Sequence, residues 1–536
     1  MIHLRLVYIA LFVCLANFTS AQDMDMKKLE SEADLYFSQQ RFQKVLPLYL
    51  KLDSIYPSRP KFIYRLGICY LATNQIQTAL PYFNTCLKEE EKYPATLYYN
   101  AAKCNHLLHK FDEAEKLYEK YYEYLIKNNR RKKKHLQQIA ELVREIGMCA
   151  NGKEFMQKEQ EIKISNLGEI INTKYDDYAP IISADHNLLI FTSSRENNRD
   201  VNKETDDEDG YNEEIYFSEK INDEWSSPKN MGDSINTAGH DAGISLSPEG
   251  NILVIYRFTK ESLINKSSGG DLWYTENNGE SWSNPQKFPE TINSKYWESS
   301  ACFSHDGRIL FFTSNREGGY GGTDIYYSKQ INKGIWAEPI NMGPKINTAY
   351  DEESPFLHPD GKTLYFSSNG HKSMGGFDIF VSHFNEEKQE WSRPENLGFP
   401  VNSAHDDIYF SWSADGKKCF FSSIRLEGFG NKDIYTAEFP GIEVDLILLK
   451  GEIKDTINNK TPAANIKVTD PITGEITGIF HSNQTSGKYI MILPTGKKSD
   501  ILISCEGYHP IYITQDNTKK KGFIETETNF YLIPEK

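Results

Sequence analysis

At 536 residues the chain is too long for one hydrophobic core, so about three domains are expected. Its formal net charge of −15 excludes a general nucleic-acid binder, which needs clustered Lys and Arg against phosphates, and fits a soluble acidic protein. Aromatic residues make up 13%, including 32 Tyr, which suits strand-rich structure.

Residues 1–21 read as a secretory signal peptide. Arg5 supplies the charged end, "LVYIALFVCLANF" the apolar run, and "TSAQ" a small-residue cleavage site after Ala21. The run is too short for the roughly 20 residues of a membrane span, and no later segment is apolar enough to form one. Cys14 lies inside the apolar run after bulky Phe12 and Val13, which speaks against its acting as a lipidated cysteine. Seven cysteines follow: Cys69, Cys86, Cys104, Cys149, Cys302, Cys419 and Cys505. They are scattered and contain no CxxC pair, so neither a zinc site nor a disulfide framework is expected.

Residues 27–158 repeat with a helical period. Ala33, Gly67 and Ala102 stand 34 to 35 residues apart, as do Val45, Ala79 and Ala114, and Tyr49, Phe83 and Tyr118. Small residues at this period let one helix approach its partner while the aromatic fills the gap to the next pair. The pattern, carried almost whole by "YRLGICYLATNQIQTALPYF", resembles tetratricopeptide repeats, and the segment from Leu136 reads as a closing helix. Arg130, Arg131, Lys132, Lys133 and Lys134 form a basic run. It reads either as a solvated loop between helices or as a docking patch for an acidic partner.

Residues 160–441 carry a second repeat. A turn-strand unit such as "SHDGRILFFTSNR" occurs five times, beginning at Ser183, Ser247, Ser304, His358 and Ser413. Asn172, Asn236, Asn293, Asn347 and Asn402 precede the copies. An acid-Ile/Leu-aromatic strand such as "DIYYS" follows each one. Trp225, Trp282, Trp336 and Trp391 recur at steps of 54 to 57, each three residues before a Pro. A four-stranded unit of this length is one propeller blade. The fifth copy lacks its Trp strand, and "IKISNLGEIINT" at 162–173 supplies the missing tail. A ring of five blades closed by that strand is predicted, resembling the TolB-type, WD-repeat-like propellers.

Residues 446–536 alternate β-rich runs with turn signals. Lys450-Gly451, Pro462-Ala463, Gly487-Lys488-Tyr489, Leu493-Pro494 and Gly507-Tyr508 resemble the carboxypeptidase regulatory-like domain, a small non-catalytic β-sandwich. The fold class expected is therefore an all-α solenoid, then an all-β five-bladed propeller, then a small sandwich.

The search for chemistry yields no catalytic residues, no metal ligands and no cofactor motif: GxSxG, HExxH and a phosphate-binding Gly loop are all missing from the sequence. "TENNGESW" matches a sialidase-type Asp-box, but its Trp282 is the Trp of the repeat. Arg195, Arg257, Arg316 and Arg425 recur with the repeat and read as packing residues. The acidic insertion at 198–214 fails the calcium-loop template. Five residues after each repeat Asn stands an acid: Asp177, Asp241, Glu298, Glu352 and Asp407. These five read either as groups bonded to their own backbone or as a ring that holds a ligand or cation at one mouth of the central channel.

The order of signal peptide, tetratricopeptide repeats, propeller and small sandwich resembles the periplasmic scaffold of the type IX secretion apparatus and its OmpA-family relatives. In those proteins an OmpA-like domain follows, where this sequence reads "NFYLIPEK". The resemblance implies a non-enzymatic scaffold at the inner face of the outer membrane. Its partners would be other envelope proteins, such as an outer-membrane β-barrel or a secretion component; nucleic acid and direct peptidoglycan binding are not expected. The alternative is an envelope propeller that binds glycan or peptide.

Overall fold

The computed structural model describes residues 25–128, 133–196, 212–258, 269–279, 281–332, 334–440 and 444–535. The signal peptide and residues 198–211 of the acidic insertion lie outside these residues. Two compact units emerge, one ending at Lys153 and one beginning at Glu154.

The first unit consists of helices: α1 (25–38), α2 (Phe42–Ile55), α3 (Pro60–Ala72), α4 (Ile76–Leu87), α5 (Thr96–Leu107), α6 (Phe111–Asn128) and α7 (Lys133–Gln157). The last of these runs to the boundary with the second unit. Helix α3 packs on α4 and α5 on α6, and α2·α3 and α4·α5 contacts join successive pairs. The repeat explains this packing. Ala33, Ala102, Tyr49, Phe83 and Tyr118 are fully buried, and a Cβ on Gly67 would stand 2.9 Å from the Phe83 ring. The pattern is TPR-like: a small residue on one helix admits an aromatic from the next. Helix α7 starts three residues before the predicted closing helix, so Lys133 and Lys134 open a helix rather than end a loop.

The second unit begins with five antiparallel sheets. Sheet one holds Asp177–Ile182, Leu188–Ser193 and Glu214–Ile221; sheet two His240–Leu246, Ile252–Phe258 and Asp271–Glu276. Sheet three holds Glu298–Phe303, Ile309–Ser314 and Asp324–Asn332; sheet four Glu352–Leu357, Thr363–Ser368 and Asp378–Asn385. Sheet five holds Asp407–Trp412, Lys418–Ser423 and Asp433–Glu438. Short outer strands complete sheets one to four. In sheet five that place is taken by Lys163–Asn166, antiparallel to Tyr435–Glu438. The first strands of the five sheets touch in cyclic order, one to two through to five and back to one.

Local chemistry repeats with the sheets. At the hairpin between first and second strands the Ser side chain accepts from the amide five residues on: Ser183 from Leu188 (3.0 Å), Ser247 from Ile252 (3.0 Å), Ser304 from Ile309 (2.9 Å) and Ser413 from Lys418 (3.0 Å). The turn needs a left-handed residue, supplied by Gly307 (φ 68°) and Gly416 (φ 67°), and in the first copy by His186 (φ 60°). Each repeat Asn clamps the third strand of the preceding sheet through both backbone groups. Asn236 does so at Ile215 (2.8 and 3.0 Å), Asn347 at Ile325 (2.8 and 2.9 Å) and Asn402 at Ile379 (2.8 and 2.8 Å). Asn172 clamps Ile434 of sheet five in the same way (2.9 and 2.9 Å), so the first Asn ties the last sheet to the first.

Two further sheets enclose one core that includes Ile447, Ile466, Phe480, Met491 and Leu532. One is built on Leu446–Asp455 and the other on Asn465–Thr469 and its neighbours. Alternation is plain in Asn465–Thr469, where Ile466 and Val468 are buried while Asn465 and Lys467 are exposed. This sandwich meets the hairpin ends of sheets one and three. Arg308 donates to the Ile476 carbonyl (2.9 Å), His305 to the Thr477 carbonyl (2.8 Å), and Leu446, Leu448 and Ile492 pack against Ala184.

Candidate binding site

The five predicted acids, Asp177, Asp241, Glu298, Glu352 and Asp407, are all fully buried. Each accepts from the amide and hydroxyl of a Thr or Ser four residues earlier: Thr173 (2.6 and 2.7 Å), Thr237 (2.5 and 2.7 Å), Ser294 (2.9 and 2.7 Å), Thr348 (2.7 and 2.8 Å) and Ser403 (2.6 and 2.9 Å). Four also accept from an arginine: Asp177 from Arg195 (2.6 Å), Asp241 from Arg257 (2.6 Å), Glu298 from Arg316 (3.2 Å) and Asp407 from Arg425 (3.2 Å). The same guanidinium groups donate to the carbonyls of Ile171, Ile235, Ile292 and Val401, just before each repeat Asn. Their oxygens are therefore taken up inside the repeat. Among the described residues no three His, Cys, Asp or Glu side chains gather to hold a metal ion.

Sheet four departs from this pattern. Gly370 stands where the arginine would be, and His371 donates to the Ile346 carbonyl instead (2.8 Å). Among the described residues Glu352 keeps only Thr348 and the Ser368 hydroxyl (2.7 Å). Burial pushes its carboxyl up to about 7, against the pull of these hydrogen bonds.

Each innermost strand runs from its buried acid to its hairpin turn, so position past the acid measures depth between the sheets. One residue past the acid stand Tyr178, Ala242, Ser299, Glu353 and Ile408. Two past it stand Ala179, Gly243, Ser300, Ser354 and Tyr409. Here all five strands slip register. Ala179 (φ 51°), Ser354 (φ 54°) and Tyr409 (φ 60°) adopt left-handed backbone that non-glycine residues seldom use. Hydroxyls of the preceding sheet retain the displaced amides: Ser422 for Ala179 (3.0 Å), Thr192 for Gly243 (3.0 Å) and Ser300 for Ser354 (2.9 Å).

Deeper still, Pro180, Ile181, Ile244, Ala301, Phe356 and Phe410 are among the residues lining a cavity of about 130 Å³, whose far wall includes Ile492 of the sandwich. At the shallow end the surroundings are aromatic and acidic. The Tyr178 and Tyr409 rings lie 5.5 Å apart, and the Lys432 ammonium sits 5.5 Å from the Tyr178 ring. Glu213 pairs with His240 (3.4 Å). Burial would raise its carboxyl, but hydrogen bonds from His240 and Tyr178 outweigh that and hold it below the usual range. Among the described residues Glu353, 9% exposed, accepts only from hydroxyls, including Ser299 (2.8 Å) and Ser300 (3.3 Å). Burial pushes its carboxyl up to about 7. Neither Glu353 nor Ser354 was singled out by the repeat. The available signal was a Glu at a position that holds Tyr, Ala, Ser and Ile in the other four sheets.

In the helical unit charged side chains two helices apart pair with one another. Lys61 bridges Glu30 (2.6 Å) and Asp34 (2.7 Å), and Arg65 also binds Asp34. Glu145 is buried and gathers Lys103 (3.2 Å), His106 (3.2 Å) and the Tyr118 hydroxyl (3.2 Å). Burial alone would raise the Glu145 carboxyl, but the His106 hydrogen bond and Lys103 pull it down to about 2. Of the basic run, Arg130, Arg131 and Lys132 lie outside the described residues.

No family model matches the chain, and no curated protein matches it. Among solved structures, the TPR domain of Sgt2 from Aspergillus fumigatus aligns at 20% identity over 24% of this chain and 83% of that one, with a TM-score of 0.20. The first TPR of Spaghetti (RPAP3), bound to an HSP90 peptide, aligns at 18% over 22% and 90%, with a TM-score of 0.19. An α-L-arabinofuranosidase from Lactobacillus brevis aligns at 12% over 50% and 91%, with a TM-score of 0.35. At these scores none of the likenesses carries a functional conclusion.

Proposed function

We propose that the chain is a non-enzymatic scaffold of the bacterial envelope, built as a tetratricopeptide stack, a five-bladed TolB-type propeller and a carboxypeptidase regulatory-like sandwich. The observation that carries this reading is the helical repeat. Its stacked pairs present a continuous helical surface of the kind that takes up extended or helical partner segments. The cyclic contact of five sheets, with Asn172 tying the last to the first, supports the propeller. Among the described residues no helix is long and apolar enough to cross a membrane. The place proposed is the periplasm, at the inner face of the outer membrane, in secretion or gliding machinery of the type IX kind.

The test is capture of partners from detergent-solubilised envelopes by the tagged full chain, read by mass spectrometry. A variant with Arg130, Arg131, Lys132, Lys133 and Lys134 changed to Ser should capture less, and capture by the parent should weaken as salt rises. Equal capture by both chains at every salt concentration would remove the basic run from the proposal. Recovery of no envelope protein by either would overturn the scaffold reading. N-terminal sequencing should return Gln22 or Asp23; a lipid-modified Cys14 would place the protein differently.

A further inference from the structure

The channel between the five sheets has an unusual chemical gradient. At its shallow end Glu353 is nine-tenths buried, yet no ion pair reaches it among the described residues; its partners are hydroxyls. Beside it Ser354 is 6% exposed, lines the cavity, and its hydroxyl has no hydrogen-bond partner among the described residues. A buried hydroxyl left unmade costs about 1–3 kcal/mol, and a buried carboxylate without a cation costs more. The Tyr409 ring lies in the field of Glu353, the Tyr178 ring is 5.5 Å from it, and Lys432 already holds an ammonium against Tyr178. One step deeper the walls become aliphatic and aromatic, through Ile181, Ile244 and Phe410, around a volume of about 130 Å³. Such a space is close to that of an engineered apolar cavity which holds benzene, and so takes an aliphatic stem of about four to six carbons.

We propose that this channel binds an aliphatic primary ammonium compound. The ammonium would donate to Glu353 and to the Ser354 hydroxyl over the tyrosine faces, and the stem would occupy the apolar cavity. The gradient requires both parts. A bare metal cation would leave the cavity unused, and a neutral hydrocarbon would leave Glu353 and Ser354 unanswered. Ser300 joins the two halves, since it lines the cavity and donates to Glu353. The proposal is independent of the helical surface and of any protein partner.

The probe is n-hexylamine, titrated calorimetrically into the full chain at about pH 8, where a carboxyl near 7 is ionised. Glu353 is faced there by Ser299, Ser300, Thr323, Asp351 and Tyr409. Hexylamine should bind saturably with one site. Ethylamine should bind about tenfold or more weakly because it leaves the cavity empty. Hexan-1-ol should also lose about tenfold because it lacks the charge. Glu353→Gln should lose about tenfold for hexylamine while leaving hexanol unchanged, with its fold checked by tryptophan emission. A short peptide with one internal lysine, titrated in parallel, distinguishes a lysine side chain from a free amine as the source of the ammonium. Absence of hexylamine binding would overturn the proposal. So would equal affinity for ethylamine and hexylamine, or for hexanol and hexylamine. The chain-length series decides between these outcomes even if the variant fails to fold.

Discussion

Two amide substitutions in equivalent acids should behave oppositely, because one acid has an arginine and the other does not. Asp241→Asn leaves Arg257, 8% exposed, without the carboxylate it holds at 2.6 Å. Breaking one half of a buried pair costs about 3–5 kcal/mol. Glu352→Gln instead removes a buried carboxylate that no cation among the described residues neutralises. Burial raises this carboxyl from its ordinary 4.5 to about 7. Below pH 4.5 both folded and unfolded chains hold the proton. Between 4.5 and 7 only the folded chain holds it, so stability falls as pH rises. Above 7 the loss is constant, at about 3 kcal/mol for a shift of this size. Gln resembles the protonated acid, so Glu352→Gln should cost about 1 kcal/mol at low pH for one imperfect hydrogen bond. It should become more stable than the parent above pH 7. All seven tryptophans lie between Trp225 and Trp412, within the five sheets, so tryptophan emission during urea unfolding reports this region alone. The measured quantity is the midpoint shift at pH 5 and pH 8. If the Glu352→Gln shift does not grow in its favour between those values, or if both variants lose equally, then the missing arginine in sheet four does not govern the energetics.

Other expectations follow from single contacts. Asn172→Ala removes the clamp on Ile434 and its bond to Asn166 (2.8 Å); a loss of about 2–4 kcal/mol is expected by the same urea assay. Gly67→Ala drives a Cβ to 2.9 Å from the Phe83 ring, and should lower the helical melting transition seen by far-UV circular dichroism by about 1–3 kcal/mol. Glu145 is the reverse of Glu352. Its carboxyl is held down at about 2, so its contribution is present above about pH 4.5 and lost as pH falls toward 2. Glu145→Gln should flatten the acid dependence of the same dichroism signal.

Much of this fold was legible because the chain repeats its local chemistry. A Ser that closes a hairpin five residues on, or an Asn that clamps a strand, uses the same side-chain geometry each time, so spacing alone exposes it. The closing strand was legible for the same reason: "IKISNLGEIINT" carries the Asn of a unit but not its beginning. The locations of Asp177, Asp241, Glu298, Glu352 and Asp407 were legible, but their surroundings were not. The arginines that occupy four of them stand 16 to 18 residues later and could be recognised only as repeating. The bulges of the innermost strands could not be placed from sequence: Thr192 and Ser422 recur with the repeat, but the amides they hold belong to the neighbouring sheet. The start of α7 at Lys133 was hidden too, since lysines suit a helix and a solvated loop equally.

What a repeat makes visible it also makes uninformative, because a residue present five times serves the sheet. Function is better sought where the units disagree. Sheet four lacks its arginine and follows Glu352 with Glu353. Sheet five places Tyr409 at a bulge where the other sheets have Ala, Gly or Ser. Sheet two puts Tyr256 where its neighbours have the small hydroxyls of Thr192, Thr313, Ser367 and Ser422. These departures come from three different sheets, yet Tyr409 lies in the electrostatic field of Glu353, Glu213 and Tyr256 together. Random loss of a repeat would spread its exceptions over every face of every sheet. Exceptions that converge from separate units on one place between the five sheets, and include a buried carboxylate with no cation among the described residues, mark that place as the part of the five sheets not accounted for by holding them together.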